Sequence, residues 1–259
     1  MRTINILITF LAMSVLTSWG GGLDQRADSA YMADQFAEAA GLYEQAAREE
    51  GVSSALYYNL GNSYYRMGRT GEAIVAYERA LRLDPSNSEA KANLEFLNSR
   101  IIDRPGDRGS FISNTLDEIA LYTSTNNWAW LAVGLFAIVI VCGACYLFSS
   151  VTVVRKAGFF GGIVMLLLCV TAVVFSFRAA SISSSRSAAV IVVPSTILST
   201  SPRTPKDRNE EAMLLHEGTK VEILDSVTTR VDSTEVKWYD VQVDNNHRAW
   251  IEGTAIQRI

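Results

Sequence analysis

The sequence has little of the chemistry that catalysis and metal binding use. Its 259 residues include only three cysteines and two histidines, which leave little for metal or thiol chemistry. The chain contains no H-E-x-x-H motif, no glycine-rich phosphate loop and no nucleophile beside a base. We therefore expect no catalytic residue, no metal and no cofactor, and we predict that the protein is not an enzyme.

Basic tracts are missing as well. The formal net charge is −4, and Lys and Arg do not cluster as they do in proteins that bind nucleic acid, so we expect no nucleic-acid partner. Charged residues make up 19% of the chain and hydrophobic ones 49%. The imbalance is local, because three apolar runs interrupt sequence that is otherwise ordinary and polar.

The first apolar run predicts a secretory signal peptide over residues 1–22. A positive start at Arg2 precedes an uncharged and mostly apolar stretch over residues 4–16, and small residues follow at Ser18 and Gly20. A retained N-terminal anchor is the alternative. In either case the residues after Gly22 are expected outside the cytoplasm.

The other two runs predict transmembrane helices over residues 128–148 and 159–177. Both are free of charge and long enough to cross a hydrocarbon layer of about 30 Å. The loop between them, residues 149–158, carries Arg155 and Lys156 and is expected in the cytoplasm. Both soluble parts would then face the periplasm from the inner membrane.

Residues 23–100 have a helical pattern that recurs with a period of about 34 residues, as paired-helix repeats do. The clear copy spans residues 54–87 and has the aromatic, small and proline residues of a tetratricopeptide repeat, which it resembles. Small residues at Gly61 and Ala73 would let two antiparallel helices approach closely. A degenerate copy spans about residues 20–53, and Ser88 is expected to cap a closing helix.

In such arrays the first helix of each pair lines a concave surface. Here that surface would present the candidate partner-binding residues Tyr58, Asn59, Asn62, Tyr65 and Arg66. The polar members resemble the set with which some tetratricopeptide modules hold a peptide. An ordinary solvated helix face is an equal alternative. An array this short favours support from a partner or from a second copy of the chain.

Two joining segments separate the modules. Residues 101–127 begin as a linker and then place Phe111, Leu116, Ile119 and Tyr122 at helical spacing, which predicts an amphipathic helix lying on the membrane or packed on the repeat module. Residues 178–188 are small and serine-rich and predict a flexible tether.

From residue 189 the hydrophobic period changes to two. Strands are predicted at residues 190–193, 220–224, 238–243 and 248–251, with a turn over residues 244–246. The order of motifs resembles a bacterial SH3-like domain. That resemblance implies a small barrel in which Trp238 and Trp250 pack or line a binding groove. His216 and His247 are expected at the surface.

The order of the modules resembles the BatE family, the membrane proteins of the Bacteroides aerotolerance operon with tetratricopeptide repeats and an SH3-like domain. The resemblance implies a role in oxygen tolerance, oxidative stress and envelope stress beside membrane proteins with von Willebrand A domains and a MoxR-type ATPase. The fold class is then a multidomain membrane protein with an all-α tetratricopeptide array, two transmembrane helices and a small all-β SH3-like barrel over residues 189–259.

Two functions follow from this organisation. The first is a non-enzymatic scaffold in which the repeats and the SH3-like domain bind proteins at the membrane. The second is a cell-wall sensor whose SH3-like domain binds peptidoglycan. Homo-oligomerisation is a further alternative for the short array.

Overall fold

The computed structural model describes residues 22–103, 111–184, 187–231 and 234–259. The predicted signal peptide lies outside these ranges except for Gly22. Within them the chain forms a helical array, a hairpin of two long apolar helices and a curled antiparallel sheet, in that order.

The array is built from short helices joined by tight turns, which makes sequence neighbours pack antiparallel. Gly68 follows the third helix with φ +76°, a left-handed conformation that glycine adopts without steric cost. The last helix is capped by Asn87, whose side chain accepts from the Ala90 amide at 2.9 Å; the prediction of Ser88 as the cap was wrong by one residue. The helices are α1 (Leu23–Met32), α2 (Phe36–Glu49), α3 (Ser54–Arg66), α4 (Thr70–Leu83) and α5 (Ser88–Asn98).

Two further helices are long and apolar enough to cross a membrane: α7 (Thr125–Phe148) and α8 (Thr152–Ser184), numbered after the helix α6 described below. Only 6% and 17% of their most apolar windows are buried, which is unlike the core helices of a soluble protein. They pack closely, because a Cβ on Gly158 would come within 2.7 Å of the Cys142 carbonyl oxygen. The connection is only residues 149–151, so Arg155 and Lys156 lie in the first turns of α8 and not in the predicted loop.

The predicted amphipathic segment forms helix α6 (Phe111–Leu121), and it packs against the far end of α8. The Arg178 guanidinium on α8 lies 2.7 Å from the Asp117 carboxylate on α6, and the Trp128 indole donates to the Ala120 carbonyl at 3.0 Å. Helix α8 continues through Ser184, so most of the predicted tether at residues 178–188 is helical. Helix α6 therefore packs against the hairpin.

The C-terminal part is a seven-stranded sheet within residues 187–231 and 234–259, with strand order β3-β2-β6-β5-β4-β1-β7 and antiparallel pairing throughout. It curls into a half-barrel, and a bulge between Ile223 and Asp225 adds local twist. Its core contains Leu198, Val221 and Val241. The strands are β1 (Ala188–Ile191), β2 (Ser195–Ser199), β3 (Glu211–His216), β4 (Lys220–Val231), β5 (Thr234–Gln242), β6 (Arg248–Glu252) and β7 (Ile256–Arg258).

Strands β2, β3 and β7 were not predicted. The predicted turn between β5 and β6 is confirmed, since the Val243 amide donates to the His247 carbonyl at 3.0 Å. His247 is exposed as expected, whereas His216 is half-buried.

The half-barrel packs on the array. Helix α4 meets strand β1 at Gly71, whose amide donates to the Glu217 carboxylate at 2.7 Å. A Cβ on Gly71 would come within 2.5 Å of the Ile191 carbonyl oxygen, so only glycine permits this approach. Val190 and Ile259 of the sheet join the hydrophobic core of the array. The two parts therefore share one core.

Polar contacts along α4 reinforce that interface. The Lys220 ammonium lies 2.8 Å from the Glu78 carboxylate, and Arg82 donates to the Ile259 carbonyl at 2.6 Å. Arg79 donates to the Arg258 carbonyl. Because array and half-barrel touch each other, both lie at the same end of the antiparallel hairpin.

A latch formed by Asp103, His216 and Thr219 closes the interface from the other side. The Asp103 carboxylate lies 3.0 Å from His216 Nδ1 and accepts from the Thr219 hydroxyl at 2.8 Å; it also accepts from the His216 amide. Burial raises the pKa of Asp103, but the hydrogen bonds from His216 and Thr219 outweigh it and leave this pKa below its ordinary value. The ionised carboxylate therefore holds the end of the array to the β3–β4 turn.

Candidate protein-binding surface

The packing of the array depends on one close approach between α3 and α4. A Cβ on Gly61 would lie 2.6 Å from the Tyr77 ring, so the small residue expected at this position is required by the aromatic side chain opposite. Tyr77 itself is almost fully buried. The face formed by α1, α3 and α5 is held by this contact and by the polar contacts that follow.

A polar triad connects each first helix of the array to the next. In the second repeat the Tyr77 hydroxyl donates to the Asn62 side-chain oxygen at 2.7 Å, and the Asn93 amide donates to the same oxygen at 3.0 Å. The equivalent triad lies one repeat earlier, where Asp28 accepts from the Tyr43 hydroxyl and from Asn59, the latter at 3.3 Å. We call these two sets the inter-repeat triads.

The triads change the interpretation of Asn59 and Asn62. Both were predicted to contact a partner, and the structure places both in hydrogen bonds between helices of the array. The sequence does carry a signal for this role, since Asp28, Tyr43 and Asn59 recur one repeat later as Asn, Tyr and Asn.

The triad phenols act as permanent donors. Burial raises the pKa of Tyr43 above its ordinary value, and the hydrogen bond to Asp28 raises it further. Burial likewise raises the pKa of Tyr77. Both hydroxyls therefore stay protonated, and the helix contacts that they make do not titrate near neutral pH.

The remaining candidates differ in how far they are free to contact a partner. Tyr58 is half-buried, with its ring 6.0 Å from that of Tyr77. Tyr65 is 41% exposed and packs edge-on against Phe96 with ring centroids 6.1 Å apart. The Arg66 guanidinium is exposed and lies 4.2 Å from the centre of the Phe36 ring. It also pairs with Asp34 at 3.2 Å.

These contacts define an exposed surface that sequence reasoning found only in part. Phe96 is 42% exposed, and the Arg100 guanidinium lies 4.1 Å above its ring. We call Phe36, Tyr65, Arg66, Phe96 and Arg100 the aromatic–arginine surface. Phe96 and Arg100 were missed, although Arg100 occupies the position of Arg66 one repeat later. Exposed aromatic and arginine side chains are enriched where proteins bind one another.

A family comparison identifies the repeat. The tetratricopeptide repeat family model matches residues 54–87. The matched residues cover α3 and α4 with the turn that follows, and tetratricopeptide repeats are protein-interaction modules. No curated protein matches the chain in a sequence search.

The two tryptophans predicted for an SH3-like groove lie on the sheet face opposite the core. Trp238 is 4% exposed, and its indole N–H is buried without a hydrogen-bond partner among the described residues. Trp250 is half-buried and lies opposite Asp240 in the β5–β6 pairing. Asp240 is fixed by Arg248 at 2.9 Å. Of the two tryptophans, Trp250 is therefore the one that a ligand in the predicted groove could touch.

The described residues contain no group of three or more His, Cys, Asp or Glu side chains that could hold a metal ion. Cys142 and Cys145 lie within the apolar helix α7.

Proposed function

We propose that the protein is a non-enzymatic membrane scaffold whose tetratricopeptide array binds a segment of a partner protein. The aromatic–arginine surface carries this proposal. It belongs to an array that shares a core with the half-barrel, and both lie at one end of an apolar helical hairpin. A partner bound there would be held beside the membrane.

The finer assignment is part of the same proposal. We place the chain in the BatE family, in the inner membrane, with array and half-barrel in the periplasm. Its partners would be the von Willebrand A membrane proteins of an aerotolerance complex, and the half-barrel would supply a second docking surface through Trp250. The module order supports this assignment.

The experiment is purification of the tagged full-length protein from its native membrane in mild detergent, with mass spectrometry of the proteins that accompany it. Because Asn59 and Asn62 stabilise the array, the informative variant is Tyr65→Ala with Arg66→Ala, which removes two exposed side chains. We expect recovery of the partner to fall about tenfold, a typical cost for one interface anchor.

Arg48→Ala is the matched control. Arg48 is exposed and pairs with Glu44 at 3.7 Å, as Arg66 pairs with Asp34, but it lies outside the aromatic–arginine surface. The control should recover as much partner as the wild type. Equal recovery by the double variant would refute this surface as the binding site. If the protein is recovered without a partner and sediments with isolated cell wall, the peptidoglycan-sensor hypothesis would replace the scaffold hypothesis.

A further inference from the structure

A cavity of about 790 Å³ lies where array, half-barrel and hairpin meet. The array contributes Leu81 from α4, Leu94 from α5 and Pro85 from the turn between them. Ile259, which follows β7, and Ile182 on α8 add to the apolar part of the lining. The size of the cavity is within the usual range for a site that binds a small molecule. The cavity is distinct from the aromatic–arginine surface.

The cavity lies close to the level where the hairpin leaves the membrane. That level is marked by Trp128 at the start of α7, whose ring stacks on Phe175 at 5.1 Å, since indole rings favour the interface. Ile182 is seven residues further along α8, about 10 Å at 1.5 Å per residue. Leu121 and Tyr122, next to the start of α7, also line the cavity. Its position is therefore that of lipid head groups.

The charged side chains around the cavity are of two kinds. Lys220 and Glu78 are engaged with each other at 2.8 Å, and Arg82 donates to the Ile259 carbonyl. By contrast, no hydrogen bond or ion pair of the Lys91, Glu95 or Glu118 side chain occurs in the described part of the chain. These three side chains, one cation and two carboxylates, lie beside the apolar residues of the lining.

We propose that this cavity binds the head group of a phospholipid that carries a phosphate and a primary ammonium group, as in phosphatidylethanolamine. Glu95 and Glu118 would accept hydrogen bonds from the ammonium group, and Lys91 would pair with the phosphate. The apolar lining would contact the glycerol and the upper acyl carbons. A quaternary ammonium group would be a poorer ligand, because it donates no hydrogen bond and favours an aromatic cage, whereas Tyr122 is the one aromatic residue in the lining.

The proposal rests on the hairpin spanning a membrane. One experiment tests membrane insertion and lipid selectivity by different outcomes. The full-length protein is reconstituted in nanodiscs containing equal amounts of phosphatidylethanolamine and phosphatidylcholine. It is then released into the gas phase, and the retained lipids are counted by native mass spectrometry. We expect the wild type to retain phosphatidylethanolamine about tenfold more than phosphatidylcholine, since only the primary ammonium group can donate hydrogen bonds to Glu95 and Glu118.

The test variant is Glu95→Gln with Glu118→Gln, which should bring the two lipids to equal retention. The matched control is Glu89→Gln with Glu211→Gln, which removes two exposed carboxylates outside the cavity and should keep the wild-type preference. Both variants change exposed side chains, and equal thermal midpoints by circular dichroism would establish that both are folded.

Equal retention of the two lipids by the wild type would overturn the proposal, as would an unchanged preference in the test variant. A chain that stayed outside the nanodisc would overturn the membrane anchoring and this proposal together. The scaffold function is read separately, from the partner recovered with the Tyr65 and Arg66 variant.

Discussion

One tyrosine position organises the contact between repeats. Tyr77 fills the space that Gly61 leaves open, and its hydroxyl donates to Asn62 on α3, which also accepts from Asn93 on α5. The same side chain therefore supplies apolar contact through its ring and a hydrogen bond through its hydroxyl. These two contributions can be removed separately.

Gly61→Ala tests the ring contact. The new Cβ would lie 2.6 Å from a ring atom of buried Tyr77, and we expect a loss of about 1–3 kcal/mol in the free energy of unfolding. Gly41→Ala is the control, because its Cβ would meet no atom within 4 Å in helix α2. It should stabilise by up to about 1 kcal/mol. Urea unfolding followed by circular dichroism measures both, and equal effects would contradict the close approach.

Tyr77→Phe tests the hydroxyl. The ring stays, while Asn62 and Asn93 lose a hydrogen-bond partner, so we expect destabilisation of about 1 kcal/mol. Tyr65→Phe alters an exposed tyrosine for which no hydroxyl hydrogen bond occurs in the described structure, and its unfolding midpoint should match the wild type. A midpoint for Tyr77→Phe that also matches would rule out a stabilising role for the triad.

At the scale of elements, the latch at the β3–β4 turn makes a contribution to stability that depends on pH. The pKa of Asp103 is lowered in the folded protein. Its stabilising contribution is therefore fully present above the unfolded pKa of about 4 and is lost as the pH falls through the lower folded value.

Asp103→Asn should cost about 2 kcal/mol at pH 7, since charge-assisted hydrogen bonds from His216 and Thr219 are lost. The difference from the wild type should narrow as the pH is lowered to about 3. Asp207→Asn, at an exposed carboxylate, should differ little from the wild type at either pH. Thermal unfolding at both pH values measures the stability difference between Asp103→Asn and the wild type. A larger difference at about pH 3 than at pH 7 would contradict the lowered pKa of Asp103.

The sequence predicts some of the helices and strands better than others. The array helices and apolar spans follow from strong periodicity, and the clear repeat at residues 54–87 matches the family model at the same residues. Strand β2 was not predicted because Pro194 and Pro202 flank it. Strand β3 was not predicted because it places Leu214 outward and Leu215 inward without a wider alternation. Helix α8 extends beyond the apolar segment, where Arg178 forms an ion pair with Asp117 on α6. The local sequence does not predict this contact, because the two residues are far apart in the chain.

At the scale of the whole molecule, the shared core of array and half-barrel could not be predicted. Gly71, Glu78 and Arg82 have the spacing of an ordinary solvated helix face, and nothing local marks them as an interface. The same limit applies to the candidate site. The sequence predicted a binding surface on α3, but it could not separate Asn59 and Asn62, which bind neighbouring helices, from Tyr65 and Arg66, which stay exposed.

Gly71→Ala tests the shared core. The added Cβ would meet two backbone positions of the sheet, the Ile191 carbonyl oxygen at 2.5 Å and the Val192 Cα at 2.9 Å, and neither can move as a flexible side chain could. We expect the β1 amides, such as Ile191, which donates to the Thr219 carbonyl, to exchange with deuterium about tenfold faster. Gly41→Ala should leave their exchange unchanged. If the β1 amides exchanged at the wild-type rate in both variants, the packing of the array on the half-barrel would not stabilise strand β1.

If the hairpin spans a membrane, the part of helix α8 that follows its apolar segment would set a fixed distance. From Arg178 to Ser184 it rises about 9 Å at 1.5 Å per residue, and strand β1 begins at Ala188. The half-barrel that contains this strand, and the array packed on the half-barrel, would then lie at a short and defined height above the lipid. A partner would consequently be selected by geometry as well as by sequence, since only a segment displayed at that height can reach the aromatic–arginine surface.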